Sequence, residues 1–178
     1  MARKKDPALL YKIVAALAII IAIVAIIKPS FSKTDIPVQL LPISELSTKG
    51  YTKVDVQVSE VGGFGVVTIQ GDCYQLTANT DLSQVESIAK GQEGKIGLRP
   101  LTHDLFKDAL DSFDIKVVMV KIIDMQNNTY IGRLILHQGK TIVSLDSKPS
   151  DGIAIAVRTG APIYMNDELL KSQGKNIC

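Results

Sequence analysis

The chain has 178 residues, 46% of them apolar and 21% charged, a composition that excludes a disordered chain and leaves room for one domain of ordinary size. Its net charge of +2 hides an asymmetry: residues 1–32 carry Arg3, Lys4, Lys5, Lys12 and Lys28 against Asp6, so residues 33–178 are mildly acidic at −2. That balance excludes a domain that coats DNA through bulk positive charge, and two cysteines without a CxxC exclude a disulfide-dense scaffold and a cysteine-built zinc site.

The first element is apolar. Residues 13–27 carry no charge, and extension back to Leu9 gives nineteen residues interrupted only by Lys12. A bilayer core takes about 20 such residues, and Lys12 sits near one end, where its ammonium reaches the headgroups while its stem stays apolar. The sequence therefore predicts a membrane anchor over 1–29, with its span at 9–27. The basic flank Arg3-Lys4-Lys5 keeps the N-terminus cytoplasmic and the rest of the chain outside the cytoplasm. The competing reading is a cleaved signal peptide ending near Ser30-Phe31-Ser32. Ala15, Ala18, Ala22 and Ala25 line one helical stripe on which two such spans could approach. Residues 30–50, with Pro37 and Pro42, read as a juxtamembrane linker whose apolar residues pack partly on the domain that follows.

The domain is expected over 51–178. Val54, Val56 and Val58 alternate with polar residues as one half-buried strand. The glycine-rich stretch Gly62-Gly63-Phe64-Gly65 reads as a turn, lacking the Lys-Ser/Thr of a phosphate loop. Strands follow at 66–69 and 73–78. A helix carrying Leu82, Val85, Ile88 and Ala89 stops at Gly91. Thr102 reads as the cap of a second helix whose apolar stripe is Leu105, Phe106, Ala109, Leu110 and Phe113. Strands are expected over 115–123, 130–137 and 141–145. Pro149-Ser150-Asp151 opens a short helix closed by Thr159-Gly160, a last strand covers 161–165, and Asn166 or Asp167 caps a terminal helix. Hairpins mixed with short helices indicate an α+β fold with a largely antiparallel mixed sheet. His137 reads as structural, Asn127-Asn128-Thr129 as a glycosylation acceptor should the domain face outside, and Cys73 and Cys178 as free thiols.

Two blocks resemble a known family. Arg99-Pro100-Leu101-Thr102-His103-Asp104-Leu105 is the first. Asp146-Ser147-Lys148-Pro149-Ser150-Asp151, continued by Arg158-Thr159-Gly160-Ala161-Pro162-Ile163-Tyr164, is the second. In content, order and separation they resemble the bifunctional nuclease family, over roughly 52–170. The resemblance implies a compact α+β domain, often an oligomer, that cleaves RNA and DNA. The sequence departs from the family where Gln84 stands at an expected Glu, Lys148 at a common Arg and Gly152 at a usual Ala. The basic C-terminal extension of some plant members is absent.

Phosphodiester cleavage needs an activated nucleophile, stabilised charge at phosphorus and a proton for the leaving oxygen. The two blocks supply Asp104, Asp146, Asp151 and His103 as candidate catalytic groups, and Arg99, Lys148, Ser150 and Arg158 as candidate substrate contacts. Asp146 and Asp151 are the candidate ligands of Mg²⁺ or Mn²⁺. Each residue also has an ordinary structural explanation: Asp104 and Asp151 as first-turn acids, Thr102 and Ser150 as caps, Arg158 as a bond to carbonyls at its helix end. The expected partners are the lipid bilayer, nucleic acid and further copies of the chain. The competing function is a tethered binding or assembly module without catalysis, favoured by Gln84 and by the net negative charge of the domain.

Overall fold

The computed structural model describes residues 43–178, together with Leu17. The expected membrane span at 9–27, Leu17 apart, and the linker before residue 43 lie outside the described residues. Among those residues no helix is long and apolar enough to cross a membrane.

After a 3-10 turn at Ile43–Leu46 come strands β1 (Tyr51–Lys53), β2 (Asp55–Val61), β3 (Phe64–Gly71) and β4 (Tyr74–Thr80), then helices α1 (Leu82–Gln92) and α2 (Thr102–Ser112). A meander of β5 (Lys116–Gln126), β6 (Thr129–Gln138) and β7 (Thr141–Ser147) leads into α3 (Pro149–Thr159), β8 (Ile163–Asn166), α4 (Asp167–Gln173) and β9 (Lys175–Asn176). One sheet has the order β1-β8-β5-β6-β7 and the other β2-β3-β4-β9. Only β5 and β8 run parallel, joined through the α3 crossover. The fold is α+β and mainly antiparallel, as the hairpin pattern predicts, with its strands in two sheets rather than the one expected.

The strand expected over 54–58 is divided. β1 pairs with β8 in one sheet and β2 with β3 in the other. Val54 is the pivot between them, its side chain buried and its N–H donating to the Ile163 carbonyl at 2.9 Å. A period of two cannot report this change, because both halves keep the same in-out alternation.

The core gathers around α3, whose residues Gly152, Ile153, Ala154, Ile155 and Ala156 are all buried. It packs against α1, α2, β5 and β6. Its approach to β5 depends on Gly152: a Cβ there would lie 2.9 Å from Cγ1 of Val120, closer than carbon atoms tolerate. The Val120 side chain thus fills the space that alanine would take at position 152.

Four local expectations are corrected. The cap of α2 is Leu101 rather than Thr102, and its backbone N–H is met by the Asp104 carboxylate at 2.8 Å. The cap of α3 is Lys148, so Ser150 stands inside the helix. Of the predicted apolar stripe of α2 only Leu110 is fully buried; Leu105 and Phe113 are exposed, because the helix turns Asp104 inward instead. Cys73 and Cys178 form a disulfide that ties the chain end beside β4, since β9 pairs with β4 and brings the last residue back to the turn before it. Asn166 does cap α4, accepting from the Leu169 N–H at 3.0 Å.

The end of the expected linker meets the domain through polar contacts. Lys121, buried in the middle of β5, donates to the carbonyls of Glu45 at 2.7 Å and Ser47 at 2.6 Å. Its ammonium also lies 4.6 Å from the centre of the Tyr51 ring. Burial pulls the Lys121 amine below its ordinary value, against the pull of the Glu45 charge.

Two stability measurements check this packing. Gly152→Ala should lower the unfolding free energy by about 1–3 kcal/mol through overpacking, and adding Val120→Ala should recover part of that loss in urea titrations. Reduction with dithiothreitol should lower stability by about 2–4 kcal/mol, because the disulfide closes a loop with a sequence separation of 105.

Candidate active site

Helix α3 begins directly after β7, and its first turn meets the first turn of α2. Asp151 is the third residue of α3 and His103 the second of α2. The His103 Nε2 lies 3.3 Å from the Asp151 carboxylate, and its Nδ1 lies 2.9 Å from Oγ of Ser87 on α1. An ionised carboxylate only accepts hydrogen bonds. In the neutral ring Nε2 therefore carries the hydrogen and donates to Asp151, while Nδ1 accepts from the Ser87 hydroxyl. Exposure rises along this chain of groups, from 4% for Ser87 through 15% for the His103 side chain to 41% for that of Asp151. Asp151 is thus the member open to a substrate, and Ser87 is closed off as a nucleophile.

The neighbouring residue of α2 faces another way. The Asp104 and Arg158 side chains are 7% and 4% exposed and meet at 2.6 Å. The Asp104 Oδ1 accepts from the Arg158 Nε, and its Oδ2 accepts from the Leu101 N–H at 2.8 Å. The Arg158 Nη1 donates to the Ala154 carbonyl at 2.8 Å. Burial works to raise the Asp104 carboxyl. The hydrogen bonds from Arg158 and Leu101, with the charges of Arg158 and His103, outweigh it and hold the group below its ordinary value. Both partners lie in the interior, bonded to each other.

The remaining candidates are spread out. Asp146 is exposed on β7 and pairs across the ladder with Arg133 of β6 at 3.3 Å. Arg99 is exposed in the loop between α1 and α2. Lys148 and Ser150 line a cleft of about 240 Å³ between the sheets at the start of α3. A divalent cation takes about six oxygen donors. Among the described residues no three His, Cys, Asp or Glu side chains converge, and Asp146 and Asp151 each face a basic partner of their own. The described side chains thus assemble no protein-built cage for a metal ion, while Mg²⁺ is ordinarily held by only one or two carboxylates with water and substrate phosphates.

Comparison with known proteins adds the lineage. The sequence profile of the bifunctional nuclease domain matches residues 75–177, from β4 to the chain end. The chain belongs to the bifunctional nuclease domain family. A protein of Mycobacterium tuberculosis (strain ATCC 25618 / H37Rv), named only as uncharacterized, is 36% identical over 92 residues, 52% of this chain and 54% of its own length. Bifunctional nuclease 2 of Arabidopsis thaliana is 33% identical over 82 residues, 44% of this chain and 25% of its own. Bifunctional nuclease 1 of Oryza sativa subsp. japonica is 32% identical over a stretch of the same length. The chain thus spans about half the length of the mycobacterial relative and a quarter of the plant ones.

Every site residue described above lies inside the bifunctional nuclease domain match, whereas β1, β2 and β3 precede it. At Gln84, where the family resemblance leads to an expected Glu, the side-chain Oε1 is enclosed without a hydrogen-bond partner among the described residues. Sequence reasoning missed Ser87. Its signal is a hydroxyl on the apolar face of α1, between the buried Val85 and Ile88. It also missed the buried Lys121, visible as one charge inside the β-branched run of β5.

Breaking the inner pair has a pH signature. Asp104→Ala should cost about 3–5 kcal/mol, because it strands a buried guanidinium. With its carboxyl held below the ordinary 3.8, the wild-type contribution is complete above that pH and is lost as pH falls through the lowered value. Urea midpoints taken at pH 7, 4 and 3 should therefore converge between wild type and Asp104→Ala as the pH drops.

Proposed function

We propose that this domain hydrolyses phosphodiester bonds of RNA or DNA, with Asp151 taking the proton from the attacking water. The observation that carries the reading is the graded chain Ser87–His103–Asp151, which ends in an exposed carboxylate on the first turn of α3. His103 and Ser87 are positioning residues: the Nε2–H fixes one carboxylate oxygen, and the Ser87 hydroxyl fixes the ring tautomer. The proton leaves water for Asp151 as the water oxygen bonds to phosphorus, and it passes from Asp151 to the departing alkoxide as the P–O bond breaks. Lys148 and the N–H groups of the first turn of α3 supply positive potential for the phosphate oxygens. Relatives named bifunctional nucleases in two plants support the substrate class.

The address proposed with this activity is a membrane-anchored domain outside the cytoplasm. It is supported by the uncharged run at 13–27 and by the Cys73–Cys178 disulfide, since such bonds persist in oxidising compartments. Self-association is proposed from the exposed Leu105 of α2 and the exposed Phe113 just after it. The competing reading, a tethered module without catalysis, draws on the uncharged Gln84 with its enclosed, unpartnered oxygen.

The test is cleavage of labelled single-stranded RNA and DNA by the purified full chain in detergent, with Mg²⁺, Mn²⁺ or EDTA. Asp151→Asn should lower kcat by about 10²- to 10⁴-fold. His103→Ala should lower kcat more than it changes KM and alter the pH profile, and His103→Gln, which keeps an N–H donor for Asp151, should restore part of the rate. Cleavage that survives Asp151→Asn overturns the assignment. A folded chain that cleaves nothing under all three conditions leaves the binding module.

A further inference from the structure

The cleft at the start of α3 is lined there by Lys148, Pro149, Ser150 and Ile153, with neither His103 nor Asp151 in its lining. Its floor is apolar, made by Ile69 of β3, Leu76 of β4, Ile122 of β5 and Ile153 of α3. At about 240 Å³ it exceeds the roughly 150 Å³ cavity that takes benzene and falls below the roughly 300–1,000 Å³ of drug-sized pockets. One flat heterocycle suits it; a stacked duplex does not enter.

Its mouth is polar and carries one sign of charge. Asn79 and Asn128 bring side-chain amides, each with a donor and an acceptor, and Tyr130 brings an aromatic ring. Among the described residues Lys148 is the sole charged one of the lining. Lys148 is also the cap of α3 and makes no side-chain capping bond. A lysine there offers no acceptor to the first N–H groups, and its charge adds to the positive end of the helix dipole instead of opposing it. An apolar slot edged by amides and an aromatic ring, with positive charge at its lip, matches the parts of a nucleotide: ring faces, base edge and phosphate.

We propose that this cleft is the base subsite of a single-stranded substrate, holding one unstacked base on its apolar floor while the attached phosphate rests at Lys148 and the start of α3. The proposal rests on the nuclease reading and narrows its substrate class. A base seated there has its phosphate beside Ser150, one residue from Asp151, so the same turn of α3 holds the nucleotide and presents the carboxylate. A paired base stays in its stack, which makes duplexes poor substrates.

The test uses the full chain and three probes: adenosine 5′-monophosphate, ribose 5-phosphate and adenosine. Calorimetry should give the monophosphate an affinity at least tenfold above that of either fragment. Ala78→Leu, which grows into the cleft, should erase the advantage of the monophosphate over ribose 5-phosphate. Asn79→Ala, at an exposed rim position that leaves the floor intact, should reduce it. In cleavage assays single strands should outrun duplexes of the same sequence at least tenfold. Equal binding of the monophosphate and ribose 5-phosphate, no binding of any probe, or duplex cleavage as fast as single-strand cleavage would each overturn the subsite. The two proposals fail separately. Base-dependent binding without cleavage of any strand supports the cleft and removes the nuclease, whereas cleavage without base dependence removes the cleft alone.

Discussion

The bond between Asp104 and Arg158 decides how the helices sit. A carboxylate and a guanidinium this deeply enclosed are tolerable only together, so α2 must turn Asp104 toward the end of α3. That rotation has two consequences. It carries His103, the preceding residue, toward the start of α3, where Asp151 meets it. It also turns Leu105 and Phe113 outward, against the preference that hydrophobic burial alone would express. The polar pair wins this contest because stranding either charge costs more than leaving apolar side chains wet.

The proposed chemistry thus borrows its geometry from structure. Asp104 and Asp151 are both first-turn acids beside a basic partner, and sequence alone offers both as candidate catalytic groups. Burial separates them. One is sealed in the interior with both oxygens bonded, while the other stands at the surface with a histidine behind it. The same helix, α3, holds one member of each pair, Arg158 near its end and Asp151 at its start. Because α3 is enclosed by α1, α2 and the five-stranded sheet, the positions of both groups are fixed by packing rather than by loops.

Most elements were legible because their signals are local. The hairpin turns show in Gly62-Gly63 and Asn127-Asn128, all with positive φ, and the opening of α3 shows in Pro149 at its first position. The division at Val54 was not legible, since it depends on which sheet each half joins. Nor was the disulfide: nothing near Cys73 announces that the last residue returns to it, and the two-residue strand β9 that brings it there is too short to carry a pattern. Within the site, His103 and Asp151 could be named from the two sequence blocks, but their contact could not, and Ser87 lies in a third segment without a motif. The cleft stayed hidden because its lining comes from several separate elements whose residues read individually as strand or turn.

On the proposed subsite, Lys148 sets stability against binding at one residue. A helix start left without an acceptor, and given a positive charge where the backbone is already positive, is about 1 kcal/mol less stable than one capped by Ser, Thr, Asp or Asn. Any search for hardier versions of this domain will be drawn to that position first. The substitutions it rewards there replace the one cation among the described residues lining the cleft, so on the proposed subsite thermal robustness and nucleotide binding are traded against each other through a single side chain.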